Sequence, residues 1–369
     1  MKIHVFSDGV RHGCFVYREE IPLEALERRG HTVSGGLKYR EESGNLMDCD
    51  LFILPRFLHG DYPLVADEIK RCGKPLVYEI DDAADLFERF HTSYFQVRNM
   101  LPSYYYMLQE ADLVTTTTET LAAHLRCLGA RNVVVLPNCP LTQSWPEVPV
   151  RRRPGPIRIG YTGWTAHILE AAFFCEIMAA LRQIRQDFIP ILYGIATTSD
   201  TGVEWIKKAR DAVNANPIPN REFGESLVDF VGSFQKVRPY LQWKSMTTVD
   251  EYFDTLRGLD LDIGCAVLHD TPFNRCKSCI KFYDYAGAGC VTLASEVLPY
   301  TTEPCITVPN TLDAWVRMLS LLMDSEVHRR TRLEEQRQWI RVNRNPDFWA
   351  VVREEAYQAL LPQSRHALV

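Results

Sequence analysis

Short apolar runs alternate with amphipathic stretches along the chain, in two series separated by a proline-rich break. In the first series Lys2 to Phe6, Cys49 to Pro55 (CDLFILP), Pro75 to Ile80 (PLVYEI), Leu113 to Thr116 and Asn132 to Pro137 (NVVVLP) read as short buried strands. Tyr17 to Arg29 carries Ile21, Leu23 and Leu26 near one helical face and is closed by Gly30; Leu64 to Cys72, Ser103 to Glu110 and Glu119 to Leu128 are further helices. Pro146 to Pro156 (PEVPVRRRPGP) holds four prolines and reads as a linker. The second series opens with a strand at Ile157 to Tyr161, a helix from about Leu169 to Gln186 and a strand at Pro190 to Tyr193. Asp200 to Gln235 is polar and irregular, and reads as an insertion or a lid. Then follow a strand in Leu261 to Leu268 (LDIGCAVL), a polar loop from Asp270 to Lys277, a short helix from about Ser278 and a strand at Cys290 to Ala294. Helical patterns over Leu312 to Arg341 and Phe348 to Leu360 complete the chain. Strands alternating with helices make parallel sheets, so the expected fold class is α/β. Two doubly wound domains, 1–149 and 155–345, are expected to face a central cleft at the carboxyl ends of their strands.

At 369 residues the chain is too long for one ordinary core. Its 46% hydrophobic and 24% charged residues are those of a soluble globular protein. A formal charge of −6 opposes a role in covering a long stretch of nucleic-acid phosphate, while leaving room for a local basic patch. Of the eleven cysteines, Cys276 and Cys279 have C-x-x-C spacing. With no second pair and no histidine at metal spacing, reduced cytosolic thiols are a simpler expectation than zinc or redox chemistry. The opening MKIHVFSDG is expected to form a strand and a glycine turn, not a signal peptide, and no apolar run reaches about eighteen residues. The expected location is cytoplasmic, with any membrane contact peripheral.

The densest chemistry lies in Pro272 to Ser295, PFNRCKSCIKFYDYAGAGCVTLAS, within a strand-helix-strand unit. The loop after a strand and the first turn of the next helix offer unpaired backbone N–H groups at a positive dipole end, where an anion is held. Ser278 is expected to cap that helix and Lys277 to add a point charge. Asp284, six residues past Ser278, faces another side and suits a ribose hydroxyl better than a phosphate. A surface lysine, a capping serine and a solvated aspartate are the plain alternative, and the pattern alone leaves both open.

GCFVYREEIPLEALERRGH at 13–31, GKPLVYEIDD at 73–82, ADLVTTTTETLAAHL at 111–125, NVVVLPN at 132–138, IRIGYTGWTAH at 157–167 and DTPFNRCKSCIK at 270–281, followed by Pro299, Tyr300 and Trp315, form an ordered set. Together they resemble the group-one (family four) glycosyltransferases of the GT-B fold. The resemblance implies two Rossmann-like domains and transfer of a sugar from a nucleotide-sugar donor, a UDP- or GDP-sugar, with retained anomeric configuration, no catalytic metal and no further cofactor. It places the nucleotide on the C-terminal domain and the acceptor, a glycan, lipid-linked intermediate or protein, on the N-terminal one. The last helix, within 346–369, then crosses back onto the first domain. By position, Lys277 is the basic residue near the diphosphate, and Lys281 either shares that role or packs its stem along the helix. Asp284 stands where the family commonly has a ribose-binding Glu. The family's other acid, separated from it by seven residues, falls on Cys276. A thiol cannot replace that carboxylate, so sugar recognition is expected through Asp270 or Asn274.

Within GYTGWTAH, Gly163 lets backbone approach a phosphate beside Trp164, and His167 either donates to phosphate or sugar or caps the helix. Asp81 and Asp82 end a strand at the cleft edge; one is expected to serve the acceptor as contact or base and the other to cap a turn. The Asp8 to Gly13 loop is either an ordinary turn or a tight loop beside the diphosphate, with Gly13 for approach and Arg11 or His12 for charge. Tyr17 and Arg18 are expected toward the acceptor. Tyr104 to Tyr106 are expected to stack on a sugar or base, with at least one in the core. A retaining reaction in which the departing phosphate oxygen assists the incoming hydroxyl needs charge stabilisation and alignment, here from Lys277, the helix start at Ser278 and the backbone at Gly163. One alternative directs the same chemistry at a hydroxylated DNA base, with Arg151 to Arg153 and Arg329, Arg330, Arg332, Arg337, Arg341 and Arg344 as a phosphate-binding rim. Another, permitted by Cys276, is a catalytically silent nucleotide-sugar-binding protein.

Overall fold

In the computed structural model, which describes residues 1–7, 11–35, 48–56, 60–91, 93–147, 155–195 and 221–362, each half of the chain builds a six-stranded sheet. The first has the order β2-β1-β3-β4-β5-β6, from β1 (Lys2–Val5), β2 (Thr32–Gly35), β3 (Leu51–Pro55), β4 (Leu76–Glu79), β5 (Leu113–Thr116) and β6 (Val133–Val135). The second has the order β12-β11-β10-β7-β8-β9, from β7 (Ile157–Thr162), β8 (Phe188–Tyr193), β9 (Gln242–Lys244), β10 (Ile263–Ala266), β11 (Val291–Ser295) and β12 (Ile306–Val308). Every pairing is parallel. β3, β4, β10 and β11 are buried along their whole length, as continuously apolar runs are when helices cover both faces of a sheet. β2, β9 and β12 go beyond the apolar pattern, being short edge strands.

The expected irregular stretch from Asp200 to Gln235 is corrected in part. Residues 196–220 lie outside the described residues, but Arg221–Val237 is a helix. Leu227, Phe230, Phe234 and Val237 recur every three or four residues and bury one stripe against the helix Ile168–Arg182.

Strand order reverses once in each sheet, between β1 and β3 in the first and between β7 and β10 in the second. The crevice beyond the carboxyl ends at such a switch point is where open α/β sheets take ligands. Close packing underlies the second: a Cβ on Gly264 would lie 2.4 Å from the Tyr285 ring.

The helix Pro346–Gln358 lies on the first domain, where Ala350 and Tyr357 join Ile3, Val5, Leu26 and Ile53. Its Arg353 stands 3.4 Å from Glu79, at the end of β4. Glu79 also accepts from Arg18 Nε at 2.9 Å and from Thr115 Oγ1 at 2.6 Å. Arg18 is thereby committed to the core instead of the acceptor side. At the other crossing, the Arg337 guanidinium sits 5.2 Å over the Trp145 ring and pins the chain ahead of the expected linker, of which 148–154 lies outside the described residues. Among the described residues no helix is long and apolar enough to cross a membrane.

Candidate active site

The loop after β10 holds a short helix, Pro272–Arg275, capped by Thr271, whose Oγ1 accepts from Asn274 N at 3.2 Å. The next helix, Ile280–Ala288, begins two residues later than expected, so Ser278 does not cap it. The Ser278 hydroxyl instead accepts from Asn138 Nδ2 at 2.7 Å, a bond between the domains. Two neighbours also reach across. Phe273 packs on Phe87 with ring centroids 4.6 Å apart, and Cys276, 4% exposed, joins the apolar cluster of the first domain. Burial pushes the Cys276 thiol up to about 11. Position 276 is interdomain packing, and a carboxylate there would be buried among apolar groups.

Lys277 lies over Phe273, with Nζ 4.4 Å from the ring centroid, and ends 3.7 Å from Asp82 Oδ1 of the first domain. Asp81, beside it, stands 3.8 Å from Arg56 Nε. Burial pushes Asp82 above its ordinary value, with Lys277 opposing and the Asp81 charge adding to the rise. For Asp81 the same burial is outweighed, chiefly by the Arg56 guanidinium, and its carboxyl is held low. One carboxyl of the pair ionises readily and its neighbour reluctantly, an arrangement suited to divided roles.

One helical turn beyond Lys277, Lys281 Nζ sits 5.7 Å over the Tyr161 ring; burial brings its ammonium down to about 8. From the turn after β7 comes Gly163, whose N–H donates to Tyr193 O at 3.0 Å and is therefore not turned to a phosphate. A Cβ there would meet Tyr161 Oη at 2.9 Å, which gives this glycine a packing reason. Trp164 is 60% exposed beside it. His167 opens the helix Ile168–Arg182 without a side-chain cap, and its Nδ1 stands 3.7 Å from Glu170 Oε2. Burial takes the His167 imidazole down to about 4 and that of His91, on the first domain, to about 3. Lys277 thus acts on Asp82 and His91 of the first domain, His167 acts on His91, and Lys281 and Lys277 act on His167.

Other expected residues are committed elsewhere. Asp270, half exposed, pairs with Arg275 at 2.5 Å. Asn274 is buried, its Nδ2 donating to Glu170 Oε1 at 3.3 Å and to His269 O at 3.1 Å. Neither offers its side chain to a sugar as arranged here. Asp284 is 3% exposed, with Tyr17 Oη donating to one oxygen at 2.7 Å and Tyr252 Oη to the other at 2.9 Å. Tyr17 consequently faces Asp284 and not an acceptor. Gly13 begins its helix with nothing within 4 Å of an added Cβ. His12 caps that helix through Nδ1, and Arg11 pairs with Glu20 at 2.6 Å and with Asp250, so neither is directed to a diphosphate; residues 8–10 lie outside the described residues. Tyr104 is fully buried and Tyr106 bonds Asp67. Arg329, Arg337 and Arg344 turn inward, to Leu322 O, the Trp145 ring and Glu303, while Arg151 to Arg153 lie outside the described residues. His91, Glu170 and Tyr252 escaped sequence reasoning, since none falls in a recognisable motif and Glu170 reads as an ordinary first-turn acid.

No family model and no curated protein matches the sequence. Solved structures are similar. One, of "Trehalose-6-phosphate from E. coli bound with UDP-2-fluoro glucose", gives a TM-score of 0.62 at 12% identity over 97% of this chain and 99% of the other. An alpha-glucosyltransferase in complex with UDP and a 13-mer DNA containing a central A:G mismatch gives 0.62 at 12% identity, again over 97% and 99%. HepE from Anabaena in complex with UDP gives 0.61 at 11% identity over the same shares. The fold is GT-B. At these identities the likeness carries the two Rossmann-like domains that flank the cleft, and the chemistry rests on the side chains.

Proposed function

We propose that this GT-B protein is a glycosyltransferase that moves a sugar from a nucleotide-sugar, in the first instance a UDP-sugar, to a hydroxyl of a glycan, lipid-linked or protein acceptor. The observation that carries the reading is the meeting of Lys277 with Asp82 at 3.7 Å beside the switch point between β7 and β10. Lys277 and Lys281 supply positive charge for a departing diphosphate, and Asp82 and Asp81 face them from the opposite domain to orient the acceptor hydroxyl. In the transfer, the bond from the anomeric carbon to the diphosphate oxygen breaks and a bond from that carbon to the acceptor oxygen forms. The acceptor's proton passes to the departing oxygen on the same face, which retains configuration. Trp164 and His167 flank the donor, and Asp284 takes the ribose once Tyr17 withdraws.

An acceptor other than DNA is favoured because three of the six C-terminal arginines of the expected rim are committed inside the protein. Release of nucleoside diphosphate and transfer of label from a panel of UDP- and GDP-sugars tests the reading. Turnover that Lys277→Ala lowers by about a hundredfold or more, with unchanged circular dichroism, supports it. Donor binding without sugar release from any donor replaces it with the silent binding protein that Cys276 permits.

A further inference from the structure

Glu170 lies in the first turn of the helix Ile168–Arg182 and is 3% exposed. Its Oε1 accepts from Asn274 Nδ2 at 3.3 Å, and its Oε2 stands 3.7 Å from His167 Nδ1. Burial alone would raise its carboxyl, but His167 and then His269 outweigh burial and hold it below the usual carboxylate range, so it is ionised. Asn274 in turn donates to His269 O at 3.1 Å, so Glu170 ties the turn after β7 to the loop after β10. Those two loops flank the switch point.

The consequence for His167 is chemical. Burial, reinforced by Lys281, keeps the imidazole neutral, and a neutral ring carries one proton. An anionic carboxylate beside Nδ1 holds that proton on Nδ1. Nε2, on the far edge of a ring that is 22% exposed, then presents a lone pair and has no hydrogen-bond partner among the described residues. A lone pair repels phosphate oxygens and accepts from O–H groups, so in this state the ring suits a sugar hydroxyl and not the diphosphate. The carboxylate that the GT-B resemblance would place at 276 is replaced by a thiol buried against the other domain.

We propose that His167 Nε2 accepts a hydrogen bond from a hydroxyl of the donor sugar and that Glu170 is the positioning residue that fixes the ring for this contact, an inference that rests on the transferase reading. Titration calorimetry of wild type, His167→Phe, Glu170→Ala and Glu170→Gln with UDP, and with the UDP-sugar that the wild type turns over, tests it. The readout is the ratio of the two affinities, because removing the Glu170 charge beside Lys281 also alters the field on any anion. His167→Phe and Glu170→Ala should lower the preference for UDP-sugar over UDP about tenfold or more, the effect of losing one buried hydrogen bond. Glu170→Gln should keep part of it, since its amide oxygen still presents a partial negative charge beside Nδ1. Should Glu170→Ala fail to fold, His167→Phe is compared with wild type across singly deoxygenated donors; one of them should bind both proteins equally. An unchanged ratio in His167→Phe, or losses equal for UDP and UDP-sugar, overturns the inference while leaving the transferase intact. A wild type that binds neither ligand overturns the transferase reading itself.

Discussion

Tyr17 of the first domain donates a 2.7 Å hydrogen bond to Asp284 of the second, in a seam closed by Val16, Ile21, Phe253 and Ile280. It ties the π-helical turn Val16–Glu20 to the helix Ile280–Ala288, and Tyr252 completes the carboxylate's shell. Burial still pushes the Asp284 carboxyl up to about 6, with both phenols opposing. The folded chain therefore binds this proton more tightly than the unfolded chain, whose value is ordinary. The stability so gained is complete below about pH 4 and is lost as pH rises through about 6, leaving a penalty on the order of 3 kcal/mol above it. Asp284→Asn should melt above wild type at pH 7.5 and lose that advantage near pH 4.5, read by calorimetric scans across the range. A difference that does not vary with pH would contradict the titration.

Lys277 opposes the rise of Asp82, so removing it has two effects at once. Lys277→Ala should lower kcat by about 10²- to 10³-fold through the lost charge on the leaving diphosphate. It should also move the acid limb of the kcat profile to higher pH, because Asp82 loses the cation that holds its carboxyl down. Lys277→Arg should restore the limb more than the rate, since a planar guanidinium keeps charge but not shape. Steady-state kinetics between pH 5 and about 8.5 separate the two effects; a lower rate with an unmoved limb would remove Asp82 from the titration.

How far the sequence reaches is visible in these same residues. β4 and β10 are legible because continuous apolar runs between polar turns have few other uses, whereas β2 and β9, short and exposed at sheet edges, carry no such pattern. The place of Lys277 in the loop after β10 is legible from its motif, and its approach to Asp82 of the other domain is not. The partners of Asp284 are not, since Tyr17 and Tyr252 lie 267 and 32 residues away and no local pattern reports contacts at that separation. Ser278 illustrates a different limit: a cap depends on where the helix starts, and here Pro272–Arg275 forms a separate first turn that sends Ser278 to Asn138. For Cys276 the motif supplies the position but only the packed domains supply its surroundings.

The final helix is held by charge as well as by apolar contact, and Arg353→Ala should expose this. Arg353 and Arg18 share Glu79 inside the first domain, and Arg353 also donates to Tyr357 Oη at 3.0 Å. Removing one member of a buried ionic group costs about 3 to 5 kcal/mol, because the remaining charges lose compensation that water cannot supply. Urea unfolding should show that loss, and limited proteolysis should cut first near Asn345, where the helix begins. Equal protease resistance in variant and wild type would mean that Ala350 and Tyr357 hold the helix without it.

Cys276→Asp separates the resemblance from the packing most directly. The resemblance puts a sugar-binding carboxylate at this position, whereas the folded chain puts the side chain beside Phe273 in the apolar cluster of the first domain. A charge there should cost about 3 kcal/mol or more, lower Tm and leave sugar affinity no better. Cys276→Ala should cost on the order of 1 kcal/mol and keep most turnover, since it removes one sulfur buried in the apolar cluster. The thiol, held near 11 by burial, should react slowly with iodoacetamide in the native protein and quickly in urea. A Cys276→Asp enzyme as stable as wild type and faster in turnover would mean that position 276 faces the sugar, and one reason for assigning the hydroxyl contact to His167 would be gone.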